Sequence, residues 1–475
     1  MSTTAIHELT IVELRKSLIH RTISSLELTQ HFLDRIEQFD PALNAYRVVC
    51  PETALDAARA ADARLSAGDE LGPLHGIPFA AKDLMDVAGL PTTAGTSLRS
   101  DHRATDNATV IQRLFDAGML LLGKTNTVQF AYGGVGINHD HGTPHNPWSE
   151  VPHIPGGSSS GSGVAVSARL SPMALGSDTG GSVRLPAGLC GITGLKTTVG
   201  QVSLDGVYPL SWTLDSIGPL VRSAEDAAYV YQAIQGWDPA DGGTAGRSSH
   251  DVVSGLTKGV QGMKVALPDG RFHEEVDDDV AASVHEAARV LQGLGADLVG
   301  LDMPEAAESC ELAVARSVIG AEAWSSNRDC YDRHAGELDP VVSSRLSLGK
   351  DINIDEYFAA VKKMLELRNR VGRRLAEIDV MLVPTAAVCA APVAEVDANL
   401  DSYMAYNVRI LRNTTIGNVL NLSGLTVPCG FNQAGLPIGL MIYAPPFCED
   451  RVLRVGHAYQ QATDWHRRSP VLDWV

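Results

Sequence analysis

Two runs of small residues carry the chemistry of this chain. Pro155-Gly156-Gly157-Ser158-Ser159-Ser160-Gly161-Ser162-Gly163 is followed, after one short apolar stretch, by Gly176-Ser177-Asp178-Thr179-Gly180-Gly181-Ser182. Two Gly- and Ser-rich turns so close in sequence can bring several hydroxyls and free backbone N–H groups to one point, the raw material for nucleophilic attack on a carbonyl. A serine hydroxyl is a weak nucleophile at neutral pH; it needs a base within hydrogen-bond reach and donors for the developing oxyanion. Fifteen histidines are present, none in a setting that marks it as that base. Lys82 is better placed, because it ends the apolar run Ile77-Pro78-Phe79-Ala80-Ala81. A lysine serves as a base only if burial lowers its pKa enough to leave it neutral at rest.

The elements that must hold these groups follow from the hydrophobic pattern. Residues 1–70 read as N-terminal helices: Ser24-Ser25-Leu26-Glu27 offers a capping box, Leu28, Phe32, Ile36 and Phe39 share one helical face, and Gly68 stops an Ala-rich helix from Thr53 to Ala67. Residues 71–235 alternate strand-length apolar runs with helices, and strands return at Val380–Pro384, Leu425–Pro428 and Ile438–Ile442 within 378–475. This is the rhythm of an α/β core with helices on both faces of a sheet. Residues 240–375 read as a mainly helical insertion, with helices at Asp279–Leu294 and Tyr357–Leu375. With no Pro/Ser linker and no repeat, residues 1–475 are expected to form a single domain.

Composition narrows the partners. A formal net charge of -18 repels phosphate backbones and anionic membranes, so neither a nucleic acid nor a membrane is an expected partner. The N-terminus has no basic segment leading into an apolar one, and no apolar run reaches the length of a membrane span, so a cytoplasmic protein is expected. Seven dispersed cysteines without a C-x-x-C pair suggest neither disulfides nor a zinc site and read as buried thiols. The N-terminal helices offer a surface for a homodimer.

Lys82 after its strand, the Gly156–Ser162 loop and the Gly176–Arg184 turn together resemble the amidase signature family. The 24 residues from Ser158 to Ser182 are the spacing that family uses, and the resemblance continues through Cys190–Lys196, Asp215–Pro219 and Gly435–Leu440. It implies the amidase signature fold, a mixed central sheet of many strands covered by helices on both faces. It also implies a Ser-cisSer-Lys triad: Ser182 as nucleophile, Ser158 as proton shuttle behind a cis Gly157–Ser158 peptide, and Lys82 as ultimate base. The backbone N–H groups of Thr179, Gly180, Gly181 and Ser182 would form the oxyanion hole. Asp178 and Arg184 would hold the turn, and Ser159 would join the network around Lys82. No metal or organic cofactor is implied. The expected substrate is a small-molecule carboxamide, with esters, anilides and carbamates (urethanes) within reach of the same tetrahedral chemistry. The aliphatic stretches 119–137 and 416–427 suggest a mainly apolar acyl pocket.

Other readings compete. Gly157-Ser158-Ser159-Ser160-Gly161 fits the G-x-S-x-G of an α/β-hydrolase, with Ser159 as nucleophile and a late histidine such as His457, but this leaves Lys82 and the Ser182 turn unexplained. Ser347-Leu348-Gly349-Lys350 satisfies S-x-x-K without partner motifs. His139, His141 and His145 have metal-like spacing but no carboxylate-rich companion. Within the family, one branch forms the A subunit of a glutamyl-tRNA(Gln) amidotransferase; Leu185, where that branch carries glutamine, and Gln129, where an acidic residue is frequent, speak against it.

Overall fold

The apolar runs that Gly, Pro and Asn separate in the sequence become the strands of one sheet. The computed structural model describes residues 5–69, 71–311 and 314–475; the first four residues of the expected N-terminal region lie outside the described residues. The strands are β1 (Tyr46–Val49), β2 (Pro78–Lys82), β3 (Leu120–Thr125), β4 (Ala174–Ser177), β5 (Thr193–Lys196), β6 (Ile217–Val221), β7 (Lys264–Pro268), β8 (Asp297–Leu301), β9 (Val380–Pro384), β10 (Ser423–Phe431) and β11 (Pro437–Ala444). They form one mixed eleven-stranded sheet in the order β1-β3-β2-β4-β6-β5-β10-β11-β9-β7-β8. This is an α/β architecture built on one mixed sheet of many strands.

The centre of the sheet is buried on both faces, and every residue of β2, β3, β4, β5 and β6 is buried. Such strands show as continuous apolar runs, which is why the sequence displays them clearly. The parallel register of β2 with β4 pairs Ala80 with Ala174 and Ala81 with Leu175. Lys82 therefore ends its strand beside the end of β4, next to the residues that lead into the second Gly-rich turn.

Local signals set the N-terminal helices. The helix Ser25–Leu43 starts with the expected reciprocal capping box between Ser24 and Glu27, and buries Leu28, Phe32 and Ile36. The helix Pro51–Ala67 ends at Gly68 in the left-handed conformation. Between them the chain forms β1, which pairs antiparallel with β3. A purely helical reading of residues 1–70 is thus corrected: four residues of half-buried Tyr-Arg-Val-Val are too short a run to reveal a strand without the edge they join.

The region 240–375 needs a similar correction. Its helices Asp278–Gly293, Val314–His334, Pro340–Lys350 and Ile354–Arg374 match the helical expectation. It also supplies β7 and β8, which lie parallel to each other and extend the sheet beside β9. Their alternation is weak, and β8 is exposed or half-buried throughout, so the pattern does not stand out from its surroundings. The stretch belongs to the sheet as well as to a helical layer.

Three cysteines, Cys190, Cys389 and Cys429, are buried; the other four are partly exposed, contrary to the uniform burial expected, and all seven are free thiols. Among the described residues no helix is long and apolar enough to cross a membrane.

Candidate active site

The Lys82 side chain is wholly buried, and its Nζ lies 2.7 Å from Ser158 Oγ and 2.8 Å from Ser177 Oγ. Burial pulls its pKa down to about 7, against the attraction of Asp215 and Asp178, so near neutrality a substantial fraction is the neutral amine. The adjacent Asp83 does not hold it in the charged form by contact, because Asp83 is paired at 2.9 Å with the buried Lys124 and accepts from Thr93. Lys124 is further held by Pro91 O and Thr92 Oγ1.

The first Gly-rich run forms a loop that leads into the helix Ser160–Ser167. The Gly157–Ser158 peptide is cis. Gly157 N–H donates to Gly134 O at 2.7 Å, and the Ser158 carbonyl accepts from Val128 N–H and Thr127 Oγ1. The helix packs so closely on the strand ends that a Cβ on Gly161 would collide with the backbone of Ala45 and Asn126. Ser162 Oγ tethers the same helix to Leu175 O in β4 and to Thr125 Oγ1 in β3.

The second run is a turn between β4 and the short helix Arg184–Leu189. Asp178 and Arg184, both fully buried, form a two-pronged pair, Nε to Oδ2 at 3.0 Å and Nη2 to Oδ1 at 2.9 Å. Despite burial, Arg184 keeps the Asp178 carboxyl well below the usual range, with Lys196 and Asn418 adding to the effect. Asp178 also accepts from the N–H of Val183 and Arg184, while Arg184 reaches Tyr443 and Asn418. The pair therefore holds the turn from inside.

Between these anchors, Thr179, Gly180, Gly181 and Ser182 lie outside any helix or strand, and among the described backbone hydrogen bonds none is donated by their N–H groups. Their other faces are occupied: Gly180 O accepts from Thr414 Oγ1 and Thr415 Oγ1, and Thr179 Oγ1 bonds to Asp215. Gly181 has φ +140°, and a Cβ there would strike Thr414. Ser182 retains 5 % of its surface exposed, whereas Lys82, Ser158 and Ser159 retain none. Of the three groups expected to react, Ser182 alone retains any exposed surface.

The buried Asp215 accepts from Leu210 and Ser211 N–H as well as from Thr179, and burial raises its pKa to about 6. It ties the turn to the loop that carries Trp212, 77 % exposed. Leu411, on the helix Leu400–Val419, packs on Gly134 and lies 3.8 Å from where a Cβ on Gly180 would stand.

Sequence reasoning missed Ser177. Ser159, expected in the network of Lys82, instead donates to the Ser177 carbonyl at 3.3 Å and makes no hydrogen bond to Lys82 among the described residues. The parallel pairing of β2 with β4 brings the end of β4, and with it Ser177, beside Lys82. The apolar stretches 119–137 and 416–427 also read differently in three dimensions. Leu120 and Leu122 belong to β3, and Ile416, Val419, Leu420 and Leu422 are core residues, so these runs fill the interior, and Leu411 is the aliphatic residue found beside the turn.

The competing motifs do not assemble. His139 sits between Asp339 at 2.7 Å and Asp397 at 2.9 Å, and His145 pairs with Ser149 O; among the described residues no group of His, Cys, Asp or Glu is arranged to hold a metal. Ser347 Oγ bonds back to Ser344 O within its helix, and Lys350 lies over the Trp324 ring. His457 is in the closing helix Glu449–Ala462, and Ser159 lacks any histidine partner among the described residues. A separate cavity of about 360 Å³, lined by Glu8, Thr10, Arg222, His466, Arg467 and Ser469, contains none of these groups.

A family model described as Amidase matches residues 27–453. The A subunit of the glutamyl-tRNA(Gln) amidotransferase from Thioalkalivibrio sulfidiphilus is 38% identical over 492 residues, covering 98% of this chain and 99% of the relative. The native peptide amidase of Stenotrophomonas maltophilia superposes with a TM-score of 0.85 at 30% identity, covering 98% of this chain and 99% of the other. A protein from a complex described as vestigial, bearing on the origins of an s-triazine catabolic enzyme, superposes with a TM-score of 0.89 at 30% identity over 95% of this chain and 98% of the other.

Proposed function

This chain belongs to the amidase signature family of hydrolases acting on carbon–nitrogen bonds, and from that membership we propose that it hydrolyses the carboxamide bond of a small, mainly apolar or aryl substrate through an acyl-enzyme. Ser182 attacks the carbonyl, Ser158 passes the Ser182 proton to Lys82, and the free N–H groups of Thr179 to Ser182 receive the oxyanion. The relay then runs backward, protonating the leaving amine as the C–N bond breaks. Water attacks the acyl-enzyme by the same path, releasing the acid and restoring Ser182.

The observation that carries this reading is the 2.7 Å contact between the buried Lys82 Nζ and Ser158 Oγ, next to a turn whose N–H groups find no backbone acceptor among the described residues. Aryl and apolar substrates are favoured by Leu411 beside Gly180 and by the exposed Trp212 on the loop that Asp215 holds. Esters and carbamates share the tetrahedral intermediate and belong to the same proposal.

A second reading, the glutaminase component of a glutamyl-tRNA(Gln) amidotransferase, is favoured by the 38% identity over nearly the whole chain. Free glutamine, however, brings an ammonium and a carboxylate. The apolar Leu411 offers neither charge a partner, and the nearby Asp178 and Asp215 are engaged by Arg184 and by the Thr179 and backbone donors. Leu185 is buried and apolar.

The test is a panel of aryl amides, aliphatic amides, carbamates, esters and glutamine, run on the wild type and Ser182→Ala. Wild-type turnover of an aryl amide, reduced about 10³-fold or more in Ser182→Ala, is expected. Activity confined to glutamine and dependent on an added partner protein would replace it with the second reading.

A further inference from the structure

We propose that Ser177 is a positioning residue that orients the Lys82 amine. This inference rests on the triad reading above and goes beyond it, because the relay requires a particular rotation of the amine about its Cε–Nζ bond. A neutral primary amine has one lone pair and two N–H bonds. To take a proton from Ser158 it must turn the lone pair, not an N–H, toward the Ser158 hydroxyl.

Among the described residues Lys82 Nζ has two hydrogen-bonded oxygens, Ser158 Oγ at 2.7 Å and Ser177 Oγ at 2.8 Å. Were Ser158 the sole neighbour, the amine would be free to donate an N–H to it, and in that rotation Ser158 could not give up its proton. Ser177 supplies an acceptor for one N–H, which disfavours the rotation that turns the lone pair toward Ser177 and so raises the share of rotations in which it faces Ser158. The proton then moves in one direction: Ser182 O–H to Ser158 Oγ, Ser158 O–H to Lys82 Nζ. Once Lys82 is an ammonium, the same Ser177 oxygen accepts a charge-assisted hydrogen bond in a site that burial makes hostile to charge.

The fold fixes Ser177 for this task. It is the last residue of β4, paired with Ile217 of β6, and its carbonyl accepts from Ser159 Oγ. The next residue is Asp178, locked by Arg184. The charged groups facing Lys82 are Asp215 and Asp178, while Asp83 beside it in sequence is neutralised by Lys124. None of these carboxylates is hydrogen-bonded to Nζ among the described residues, which leaves orientation to the two hydroxyls.

A fluorophosphonate serves as the probe, since it needs no knowledge of the natural substrate. Its labelling of Ser182 forms a Ser Oγ–P bond and expels fluoride as Lys82 takes the proton. The second-order labelling rate is measured against pH for wild type, Ser177→Ala, Ser177→Cys and Ser177→Thr. Alanine and cysteine are expected to slow labelling about tenfold or more on the pH plateau. Loss of an acceptor for the ammonium should also move the acid limb toward lower pH by about one unit, whereas a merely loosened site would admit water and move it the other way. Threonine, which keeps the hydroxyl, should restore both rate and limb. The near-isosteric cysteine keeps the test open should alanine fail to fold. An unchanged rate and limb in the alanine and cysteine variants, or failure of threonine to restore them, would overturn the proposal. If the wild type is not labelled at Ser182, the triad reading itself has failed.

Discussion

Lys82 Nζ and Ser158 Oγ, 76 positions apart in sequence, meet at 2.7 Å inside the protein, with neither side chain exposed to solvent. A base and a hydroxyl held this way can exchange a proton without first shedding water. That relationship makes each of the following expectations specific.

Removing the base should separate substrates by their leaving groups. Lys82→Ala is expected to cut amide hydrolysis more than hydrolysis of the matching ester, because an amine must be protonated to leave and an alkoxide or phenoxide less so. Measuring kcat/KM for an amide and ester pair with the same acyl group checks this. Equal losses on both would remove the relay from the leaving-group step.

The pH profile follows from burial of the same residue. On the proposed relay Lys82 acts as a base when neutral, and burial puts its pKa at about 7. The rate should therefore rise through pH 7 and fall about tenfold per unit on the acid side. A profile flat down to about pH 5 would contradict a lysine base.

The turn proposed to receive the oxyanion should be intolerant of small changes. Gly181 has φ +140°, and a Cβ there would meet the Thr414 side chain. Gly181→Ala is expected to depress kcat by about 10²-fold, the scale of losing an oxyanion donor, with a smaller change in KM. Thr414→Ala/Gly181→Ala should recover little, since the backbone conformation remains unfavourable to alanine.

Breaking the Asp178–Arg184 pair should unfold the turn. Asp178→Asn leaves Arg184 buried with no carboxylate, a loss on the order of 3–5 kcal/mol. A drop in thermal unfolding temperature together with loss of activity is expected; Arg184→Lys, which cannot make the two-pronged contact, should do the same more weakly.

His139 should make stability depend on pH on the alkaline side. Its hydrogen bond to Asp339, with Asp397 beyond, raises its pKa to about 9 against the opposing effect of burial. A group whose folded pKa is raised gives its full stabilisation below its ordinary value near 6.5, and loses it as pH climbs through about 9. Thermal unfolding of the wild type should weaken over that window, and His139→Gln should flatten the dependence. A partly exposed ring at the surface makes the effect modest.

Much of this site can be read from the chain because its parts are local. Gly156 to Ser162 and Gly176 to Ser182 declare themselves by composition, since only small residues permit such close backbone approach. Lys82 declares itself by ending an apolar strand. The buried central strands were legible because strands covered on both faces are mostly apolar, with polar residues such as Lys82 and Lys124 confined to their ends. What the chain alone indicated was thus the set of candidate groups and the strands that carry them.

Tertiary structure decided which of those groups touch. The parallel register of β2 and β4 brings Ser177 onto Lys82, a contact that depends on two strands nearly a hundred residues apart. The edge strand β1 and the outer pair β7 and β8 had no pattern of their own, because a half-exposed strand is specified by the neighbour whose hydrogen bonds it completes. The aliphatic runs 119–137 and 416–427 look alike in sequence whether they line a pocket or fill a core. In the folded chain these runs lie largely in β3 and the core, while Leu411, outside both of them, stands beside the Gly180 turn.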